Sequence, residues 1–358
     1  MRGILDLPDV LADLRGQARA RADRLLDVRV ARATIELPTE MEPWVQRTFG
    51  SLDEVRTQQV VKVTNRATLE AALIAPLRAR RPIDGPAVAS HLADEIASTH
   101  DDPFCHPLAG TPADTFGRVH GRGVTSGANV ALADAHHAVL VFAEHDPLAF
   151  DAAFAAEVLA SGRAWADRSR ATDPESCNYL LVWNCLWRAG GSIVHGHAQA
   201  FLGAGPHYAR LERFRRDATA YAATSGSGLV EDLVALHRDV GLAIDGADGV
   251  TVLAHVTPAK EREVLVVGTA GMDEREPAFA AALGDTLVAY RDHLGVRAFN
   301  LALWRSPLGG PDDHPPIVRI VDRGDPFQRA SDIGAMELYG TPIVGSDPYT
   351  VVRDLSIG

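Results

Sequence analysis

The sequence predicts an α+β fold built on antiparallel β-sheet. Apolar runs of strand length at 179–185 and 192–202 are separated by Gly190-Gly191, a turn of hairpin length. Segments with helical periodicity fall in blocks between such strand pairs, whereas a parallel sheet would alternate single strands with helices. Neither a Walker loop nor a dinucleotide-binding glycine fingerprint is present. These features favour antiparallel pairing over a doubly wound sheet.

In residues 1–143, two helices are predicted. Residues 3–27 are rich in Arg and Asp and predict a polar, peripheral helix, and a second, short helix is expected at 87–99. Between them, 35–88 is mixed, because its prolines exclude a long helix. The Asp, Pro, Gly and Thr of 100–129 predict a loop, and the apolar run 138–143 predicts a buried strand.

Helices and strands continue to alternate in blocks after residue 146. Pro147 is expected to open a long amphipathic helix that ends near Arg170, since proline is favoured in a first helical turn. Beyond the strand pair, the pattern predicts helices at 207–222, 228–243 and 275–294, strands at 250–256, 263–268, 299–304 and 316–321, and a last helix after Asp347-Pro348. Residues 203–206 (Gly-Ala-Gly-Pro) are the best candidate for a domain boundary.

Composition narrows the classes of function. A chain of 358 residues, 46% hydrophobic and 23% charged, is an ordinary globular mix long enough for about two domains. The 47 acidic and 35 basic residues give a net charge of −12, which argues against a nucleic-acid groove but not against small nucleotides. With three cysteines, a disulfide framework is not expected, and the sequence shows no signal-peptide pattern and no membrane-spanning run. We therefore expect a cytoplasmic protein with no nucleic-acid or membrane partner.

The segment from Asn184 to Gln199 carries the chemistry. On a strand, His195, His197 and Gln199 point to one face, while the small or apolar residues between them point to the core. An exposed polar strand face is the plain alternative. It does not explain two histidines and a glutamine within five residues, directly after Gly-Gly-Ser. Because histidine can act as metal ligand, proton shuttle or nucleophile, the functional interpretation is favoured.

This segment resembles the active-site strand of the galactose-1-phosphate uridylyltransferase branch of the histidine-triad (HIT) superfamily. That branch carries His-X-His-X-Gln, with Gly-X-Ser before it and an asparagine eleven residues before the first histidine. The matching residues in register are Asn184, Gly190, Ser192, His195, His197 and Gln199. Weaker matches extend the resemblance over about residues 60–350. They are Arg78-Ala-Arg-Arg81-Pro82, Asp102-Pro-Phe-Cys105, Ala143-Glu-His145 and Gly334-Ala-Met-Glu337.

The resemblance implies a fold and a reaction. The fold would be HIT-like antiparallel sheets with flanking helices in two related halves, 1–204 with the His-X-His-X-Gln strand and 205–358 contributing to the sugar site. The reaction would move a nucleoside monophosphate between a nucleoside diphosphate (NDP) sugar and a sugar 1-phosphate. His197 would be the nucleophile that forms a covalent nucleotidyl-histidine.

The resemblance also implies roles for the neighbouring residues. Gln199, Ser192 and Asn184 would donate hydrogen bonds to phosphate oxygens, and the Gly190 turn would let backbone approach them. Arg78 and Arg81 would bind the phosphate of the hexose phosphate through their planar guanidinium forks, although a solvated arginine cluster is the plain alternative.

A structural zinc and a homodimer are further implications of the resemblance. The zinc ligands would be Asp102, Cys105, His145 and His195, with aspartate where the family has cysteine. Zinc accepts oxygen as well as sulfur and nitrogen ligands, and four protein ligands leave no open position. In the family, a C-terminal segment of one subunit reaches the sugar bound by the other, and Glu337 is the matching residue.

Alternative functions remain open at this stage. One is a phosphorylase of the same branch, acting on an NDP-sugar or dinucleotide with inorganic phosphate as acceptor. Another, of a different class, is an inactive, zinc-stabilised nucleotide-binding protein, which the retention of His197 and Gln199 disfavours. A histidine-triad hydrolase would carry histidine at the position of Gln199.

Overall fold

A computed structural model of the chain describes residues 2–80, 91–312 and 314–356. It confirms the α+β class, with two sheets flanked by helices. The strands are β1 (Leu26–Thr34), β2 (Thr57–Asn65), β3 (Ala71–Ile74), β4 (Val124–Ala128), β5 (His136–Phe142), β6 (Asn178–Cys185), β7 (His197–Gly203), β8 (Ala243–Asp245), β9 (Thr251–Ala254), β10 (Val264–Val267), β11 (Phe299–Trp304), β12 (Ile317–Asp322) and β13 (Ile343–Val344). The helices are α1 (Leu7–Asp13), α2 (Gly16–Leu25), α3 (Glu42–Phe49), α4 (Leu52–Arg56), α5 (Leu92–Ser98), α6 (Pro107–Gly110), α7 (Phe154–Thr172), α8 (Ala209–Ser225), α9 (Leu229–Val240), α10 (Pro277–Asp292), α11 (Ala335–Tyr339) and α12 (Pro348–Leu355).

The larger sheet is antiparallel throughout and has the strand order β4-β5-β7-β6-β11-β12-β10-β9-β8. Strands from 124–203 form one end of this sheet and strands from 243–322 form the other. The two sets meet where β6 pairs with β11, with Asn184 opposite Asn300. One continuous sheet therefore spans both parts of the chain, and the division at 204/205 stays a prediction.

The smaller sheet has the order β1-β2-β3-β13. Its first three strands pair antiparallel, while β13 adds in parallel to β3 and so ties the C-terminal region to the N-terminal one. Strands β2 and β3 lie in the region 35–88 that was predicted to be mixed, and β1 (LDVRVARAT), which no prediction anticipated, alternates apolar residues with arginines and mostly faces solvent.

Helices α7 and α10 pack together on one face of the larger sheet. Beneath them an aromatic cluster forms around Trp183, which is 2% exposed. Phe142, Phe150 and Phe299 all contact its ring edge-to-face at centroid distances of 5.0–5.3 Å. Such pairs add to the hydrophobic gain of burial. This face is the core, so the opposite face of the same strands is left for the polar side chains of β6 and β7.

Most predicted elements are confirmed within a few residues, but three expectations are wrong. Residues 3–27 are not one helix, because the chain is extended at Leu14 and Arg15, between α1 and α2, and β1 begins at Leu26. Pro147 opens a turn in which Asp146 accepts the Leu148 N–H, and the long helix begins only at Phe154. The strand predicted over 192–202 begins at His197, so His195 lies in the turn before it.

An ion cluster centred on the buried Glu263 and the mostly buried Arg319 joins the two sheets. Arg319 on β12 donates to Glu263 at 2.7 Å and to Glu70, in the turn between β2 and β3, at 2.6 Å. Its guanidinium also lies 4.6 Å from the ring centre of Trp304. Desolvation opposes ionisation of Glu70, but Arg319 and His255 together outweigh it and hold the pKa of this carboxyl below its usual range.

No helix in the described part of the chain combines the length and apolar character that a membrane crossing requires.

Replacing Arg319 with methionine should destabilise the fold by about 3–5 kcal/mol, because it leaves the buried Glu263 carboxylate without a counter-charge and removes the partner of the half-buried Glu70. Urea denaturation measures this as a lower midpoint. The matched control is Arg19→Met, which breaks a pair with Asp23 whose side chains are 46% and 59% exposed. That change should cost less than about 1 kcal/mol. Equal losses in the two variants would contradict a tethering role for Arg319.

Candidate active site and metal cluster

The candidate site lies on the face of the larger sheet opposite the aromatic core. Residues directly paired across strands project to the same face, and Val182 of β6 pairs with Gln199 of β7. His197 and Asn184 lie two residues away from these along their own strands, so all of them share that face. Ala198, Ala200 and Leu202 point the other way and are fully buried, which confirms the predicted alternation along β7.

The His197 imidazole is held in one orientation by the backbone. Its Nδ1 lies 2.8 Å from the carbonyl oxygen of His195, which can only accept, so Nδ1 carries the hydrogen. The lone pair of a neutral ring is then on Nε2, which is not sealed from solvent. Burial lowers the pKa of His197, although the His195 carbonyl opposes this effect. The arrangement presents an unprotonated nitrogen to the site.

Gln199 is oriented by a histidine of the adjacent strand. Its Oε1 lies 3.0 Å from Nε2 of His137, whose other nitrogen accepts the Ala133 N–H at 3.3 Å. The same Nε2 also lies 3.2 Å from Nδ2 of Asn129, so this nitrogen bridges two amide side chains. Phe201 stacks on the same ring at 4.0 Å between centroids. With Oε1 occupied, the Gln199 amide group has its NH₂ available as a donor.

A row of polar side chains continues across β6 and β11. Asn184 Oδ1 accepts from Asn300 Nδ2 at 2.7 Å, and the same nitrogen donates to the carbonyl of Ala189 at 2.7 Å. Asn300 Oδ1 accepts from Arg323 at 2.5 Å. The row therefore starts beside His197 in one part of the chain and ends in the loop after β12 in the other.

The turn between β6 and β7 has a backbone that favours glycine. Leu186 and Gly190 flank a short 3₁₀-helix, Trp187–Ala189, and have φ values of 67° and 93°. Gly190 therefore sits in the left-handed region, where a side chain is strained. Ser192 is exposed on this turn. At Gly196 a Cβ would approach the Phe142 ring to 2.7 Å, so glycine allows the turn to press against β5.

Asp102, Cys105, His145 and His195 come together as one cluster, as the resemblance implied. Their ligand atoms all lie within 4.8 Å of one another. Cys105 Sγ is 3.3 Å from His145 Nδ1 and 3.5 Å from His195 Nδ1, and these two nitrogens are 3.1 Å apart. Asp102 caps the short helix Pro103–Cys105, with Oδ1 accepting the N–H groups of Phe104 and Cys105.

The hydrogen bonding around the cluster fits a metal ion. His195 Nε2 donates to the Phe142 carbonyl at 2.8 Å, and His145 Nε2 donates to the Ile96 carbonyl at 3.0 Å. Both Nδ1 atoms of the neutral rings therefore carry lone pairs that face each other, which is unfavourable unless a cation lies between them. Asp102 Oδ2 is buried beside them without a hydrogen-bond partner. Two imidazole nitrogens, one carboxyl oxygen of Asp102 and the Cys105 sulfur thus converge on one point.

A small apolar cluster, separate from the main core, connects the metal cluster to His197. It consists of Phe104, Val139, Val141 and the partly buried Ile193. The Phe104 ring meets His197 edge-to-face with centroids 5.1 Å apart, and it also contacts His195 at 6.3 Å. The loop that supplies Asp102 and Cys105 therefore also packs against the His197 ring.

The remaining predicted site residues lie outside this constellation or outside the described chain. Arg78 is exposed in the short 3₁₀-helix Pro76–Arg80 after β3, and Arg81 lies outside the described residues. Glu337 caps its own short helix, with Oε2 accepting the Gly334 N–H at 2.9 Å. Partial burial opposes ionisation of Glu337, but backbone N–H groups outweigh it and lower its pKa. Phosphate and sugar binding by these residues stay predictions.

Sequence reasoning missed Asn300, Arg323 and His137. Asn300 could have been noticed as a polar residue in the apolar strand sequence FNLALW. Nothing local to Arg323 marks it, since its partners are 9 and 23 residues away in sequence. His137 is the second residue of the strand HHAVLVF, and a polar residue at the end of a strand is no sign of a functional site.

Comparison with solved structures confirms the fold that the resemblance implied. An ADP-glucose phosphorylase from Arabidopsis thaliana, solved with bound ADP-glucose, superposes with a TM-score of 0.62 at 14% identity, over 83% of this chain and 98% of that one. A GalT-like protein from the same plant gives 0.59 at 15% identity, over 72% and 92%. A uridylyltransferase gives 0.56 at 16% identity, over 68% and 87%. The chain therefore has the HIT-like fold of these proteins.

No protein-family model matches the sequence, and no curated protein matches it significantly.

Proposed function

We propose that this protein is a nucleotidyltransferase that moves a nucleoside monophosphate between an NDP-sugar and a sugar 1-phosphate through a covalent intermediate on His197. The observation that carries the proposal is the state of the imidazole. Nδ1 is bound to the His195 carbonyl at 2.8 Å, and Nε2 is free beside two amide side chains. Nucleophilic catalysis by histidine requires such an unprotonated, oriented nitrogen. An inactive nucleotide-binding protein would have no need of it.

In the first half-reaction, the Nε2 lone pair of His197 forms a bond to the α-phosphorus of the NDP-sugar. The bond from this phosphorus to the bridging oxygen breaks at the same time. That oxygen leaves with the electron pair as part of sugar 1-phosphate. The positive charge that develops on the ring is stabilised by the hydrogen bond from Nδ1 to the His195 carbonyl.

In the second half-reaction, an oxygen of the acceptor phosphate attacks the same phosphorus. The bond from phosphorus to Nε2 breaks, and its electron pair returns to the ring. The Nδ1 proton stays in place throughout, so the imidazole returns to its starting tautomer. Each half-reaction is a displacement at phosphorus that regenerates the group required by the other, which predicts ping-pong kinetics.

The proposed phosphate donors surround this path. Gln199 and Asn184 share the face of His197 and would donate through their amide groups, while Ser192 and the backbone near Gly190 would contribute from the adjoining turn. Arg78 and Arg81 are proposed to bind the phosphate of the sugar phosphate, in keeping with the fork geometry of their guanidinium groups.

Replacing His197 with glycine should lower the rate of nucleotide transfer by a factor on the order of 10³ or more, because no other group can form the intermediate. The wild-type protein mixed with UDP-glucose or ADP-glucose should gain the mass of one nucleoside monophosphate, and the variant should not. Intact-mass spectrometry measures both, and the adduct mass identifies the base. His293→Gly, at the exposed end of α10, is the control and should retain the adduct. An unimpaired His197→Gly enzyme would contradict the proposal.

A phosphorylase is the second candidate, favoured by the overlap with the ADP-glucose phosphorylase, which extends over 98% of that chain. The two candidates share the first half-reaction and differ in the acceptor. Once the nucleotidyl-enzyme has been isolated, inorganic phosphate should discharge it if the protein is a phosphorylase, and glucose 1-phosphate or galactose 1-phosphate should do so if it is a transferase. The ratio of the two discharge rates decides between them.

We propose zinc as the metal of the cluster. Two imidazoles, one thiol and one carboxylate suit a tetrahedral zinc, whose ligand atoms lie about 3.3–3.8 Å apart given the usual bond lengths. Asp102, Cys105, His145 and His195 would hold the ion. When bound, it would supply structural cross-linking of the Asp102–Cys105 loop to the turn before β7. His195 would then be fixed through its side chain while its carbonyl orients His197.

Purified protein should contain about one zinc per chain, and Cys105→Ala should reduce both the zinc content and the Tm. A loss of about 1–2 kcal/mol corresponds to a Tm about 1–3 °C lower for a chain of this size. Elemental analysis and thermal unfolding, with and without a chelator, are the measurements. Cys177→Ala, outside the cluster, is the control and should keep the metal. A metal-free protein of unchanged Tm and activity would show that the four residues hold no ion.

The homodimer and the role of Glu337 are proposed together. Leu338 and Tyr339, next to Glu337, are 65% and 88% exposed, so this segment offers apolar surface to a second copy. Glu337 would accept hydrogen bonds from the sugar hydroxyls of a substrate bound to the other subunit.

Glu337→Ala should raise KM for the sugar phosphate several-fold, as expected when a remote contact positions the substrate. Mixing this variant with His197→Gly should restore part of the activity, because one hybrid site would contain both intact residues. Enzyme assays after subunit exchange measure the recovery, with exchange verified by native mass spectrometry. Sedimentation as a monomer, or no recovery in verified mixed dimers, would rule out a shared site.

A further inference from the structure

We propose that Asn300 is a positioning residue that turns the amide of Asn184, so that its NH₂ group faces the phosphates of the substrate. The proposal rests on the proposed function and adds to it a residue from the C-terminal part of the chain. Asn300 acts through Asn184 and need not touch the substrate. The two side chains lie directly opposite each other where β11 pairs with β6.

The orientation of the Asn300 amide is fixed by both of its outer neighbours. Arg323 has only donors, so the atom that it contacts at 2.5 Å must be the Asn300 oxygen. The Ala189 carbonyl can only accept, so the atom 2.7 Å from it must be the Asn300 nitrogen. The two contacts agree. An amide that could otherwise rotate by 180° has a single orientation here.

The fixed orientation is passed on to Asn184. Because Asn300 donates through its nitrogen, Asn184 must accept with its oxygen, and this contact is 2.7 Å long. The Asn184 NH₂ group is then directed away from β11. Within the described chain it donates to no protein group, and it is not sealed from solvent. It lies on the face that His197 and Gln199 occupy, where an anionic oxygen requires donors.

The outer end of this row is rigid. Asp332 binds Arg323 through two hydrogen bonds of 2.6 and 2.8 Å, and Lys260 lies 3.6 Å from the same carboxylate. Arg188, in the turn between β6 and β7, donates to the Arg323 carbonyl at 3.0 Å. A planar guanidinium held by a bidentate carboxylate has little freedom to rotate. The row from Arg323 through Asn300 therefore fixes the direction of the Asn184 NH₂ group, so that this donor need not reorient during the reaction.

Two substitutions at position 300 have different effects on the Asn184 amide: one leaves it free to rotate, and the other turns it by 180°. Asn300→Ala leaves the Asn184 amide free to rotate. Asn300→Asp keeps an acceptor for Arg323 but offers oxygen to Asn184, so the Asn184 nitrogen should turn inward and its oxygen should face the phosphate. Removing a preorganised donor at a developing anion typically costs about 10²–10³ in rate. Reversal adds repulsion, so Asn300→Asp should be the slower of the two variants.

The experiment is a double-mutant cycle on the first half-reaction, measured as the single-turnover rate of nucleotide attachment to His197 from UDP-glucose and from ADP-glucose. Asn184→Ala should lower this rate by about 10²–10³-fold, and Asn300→Asp at least as much. In the Asn184→Ala background, Asn300→Asp and Asn300→Ala should change the rate by less than about twofold, because their target is gone. Thermal unfolding of every variant reports the cost to the fold separately.

A purely structural role predicts a different result. If Asn300 only supports the sheet or the Ala189 turn, its variants lower the rate by the same factor with and without Asn184. That outcome would overturn the positioning role while leaving the covalent mechanism intact. If the wild-type protein forms no nucleotide adduct, the proposed function fails, and the positioning role fails with it. The wild-type adduct thus distinguishes the two failures.

Discussion

The hydrogen bond from His197 Nδ1 to the carbonyl of His195 is the contact on which the candidate site depends. Two residues of one segment are coupled by it. The His195 side chain belongs to the candidate metal site, and its carbonyl determines the tautomer of the His197 ring. The His195 ring is held in turn by the Phe142 carbonyl at the end of β5. His195 itself lies in the turn before β7, and His197 is the first residue of the strand.

Continuity of the larger sheet is the second requirement. The pairing of β6 with β11 gives the C-terminal strands a defined register against the strand that carries Asn184. Without that register, Asn300 and Arg323 would have no fixed relation to His197. The ion cluster of Arg319 with Glu70 and Glu263 then ties the smaller sheet to the same framework. The C-terminal part of the chain therefore contributes to the site by orientation, in addition to any contact with a substrate.

The parts of the structure that were predictable from the sequence are the local ones. The alternation of His197 and Gln199 with small apolar residues identified the face of β7, and Asp347-Pro348 identified the start of α12, where Asp347 accepts the Tyr349 N–H. The resemblance brought Asp102, Cys105 and His145 to His195, which no local pattern could do. Pairings between distant strands were not predictable, since a single polar residue such as Asn300 carries no sign of its partner. The Pro147 helix was misplaced because proline suits a turn as well as a first helical residue.

Aspartate at position 102 changes what an oxidant can do to the metal cluster. A cluster with two neighbouring thiols can close on itself as a disulfide, which expels the ion and is reversed by reduction. Here the four clustered side chains include one thiol, that of Cys105. Its oxidation within the cluster therefore leads to sulfenic acid and beyond, with no resolving cysteine among its fellow ligands. With one thiol and one carboxylate, the cluster offers acceptable zinc ligands but no second thiol with which to form a reversible disulfide.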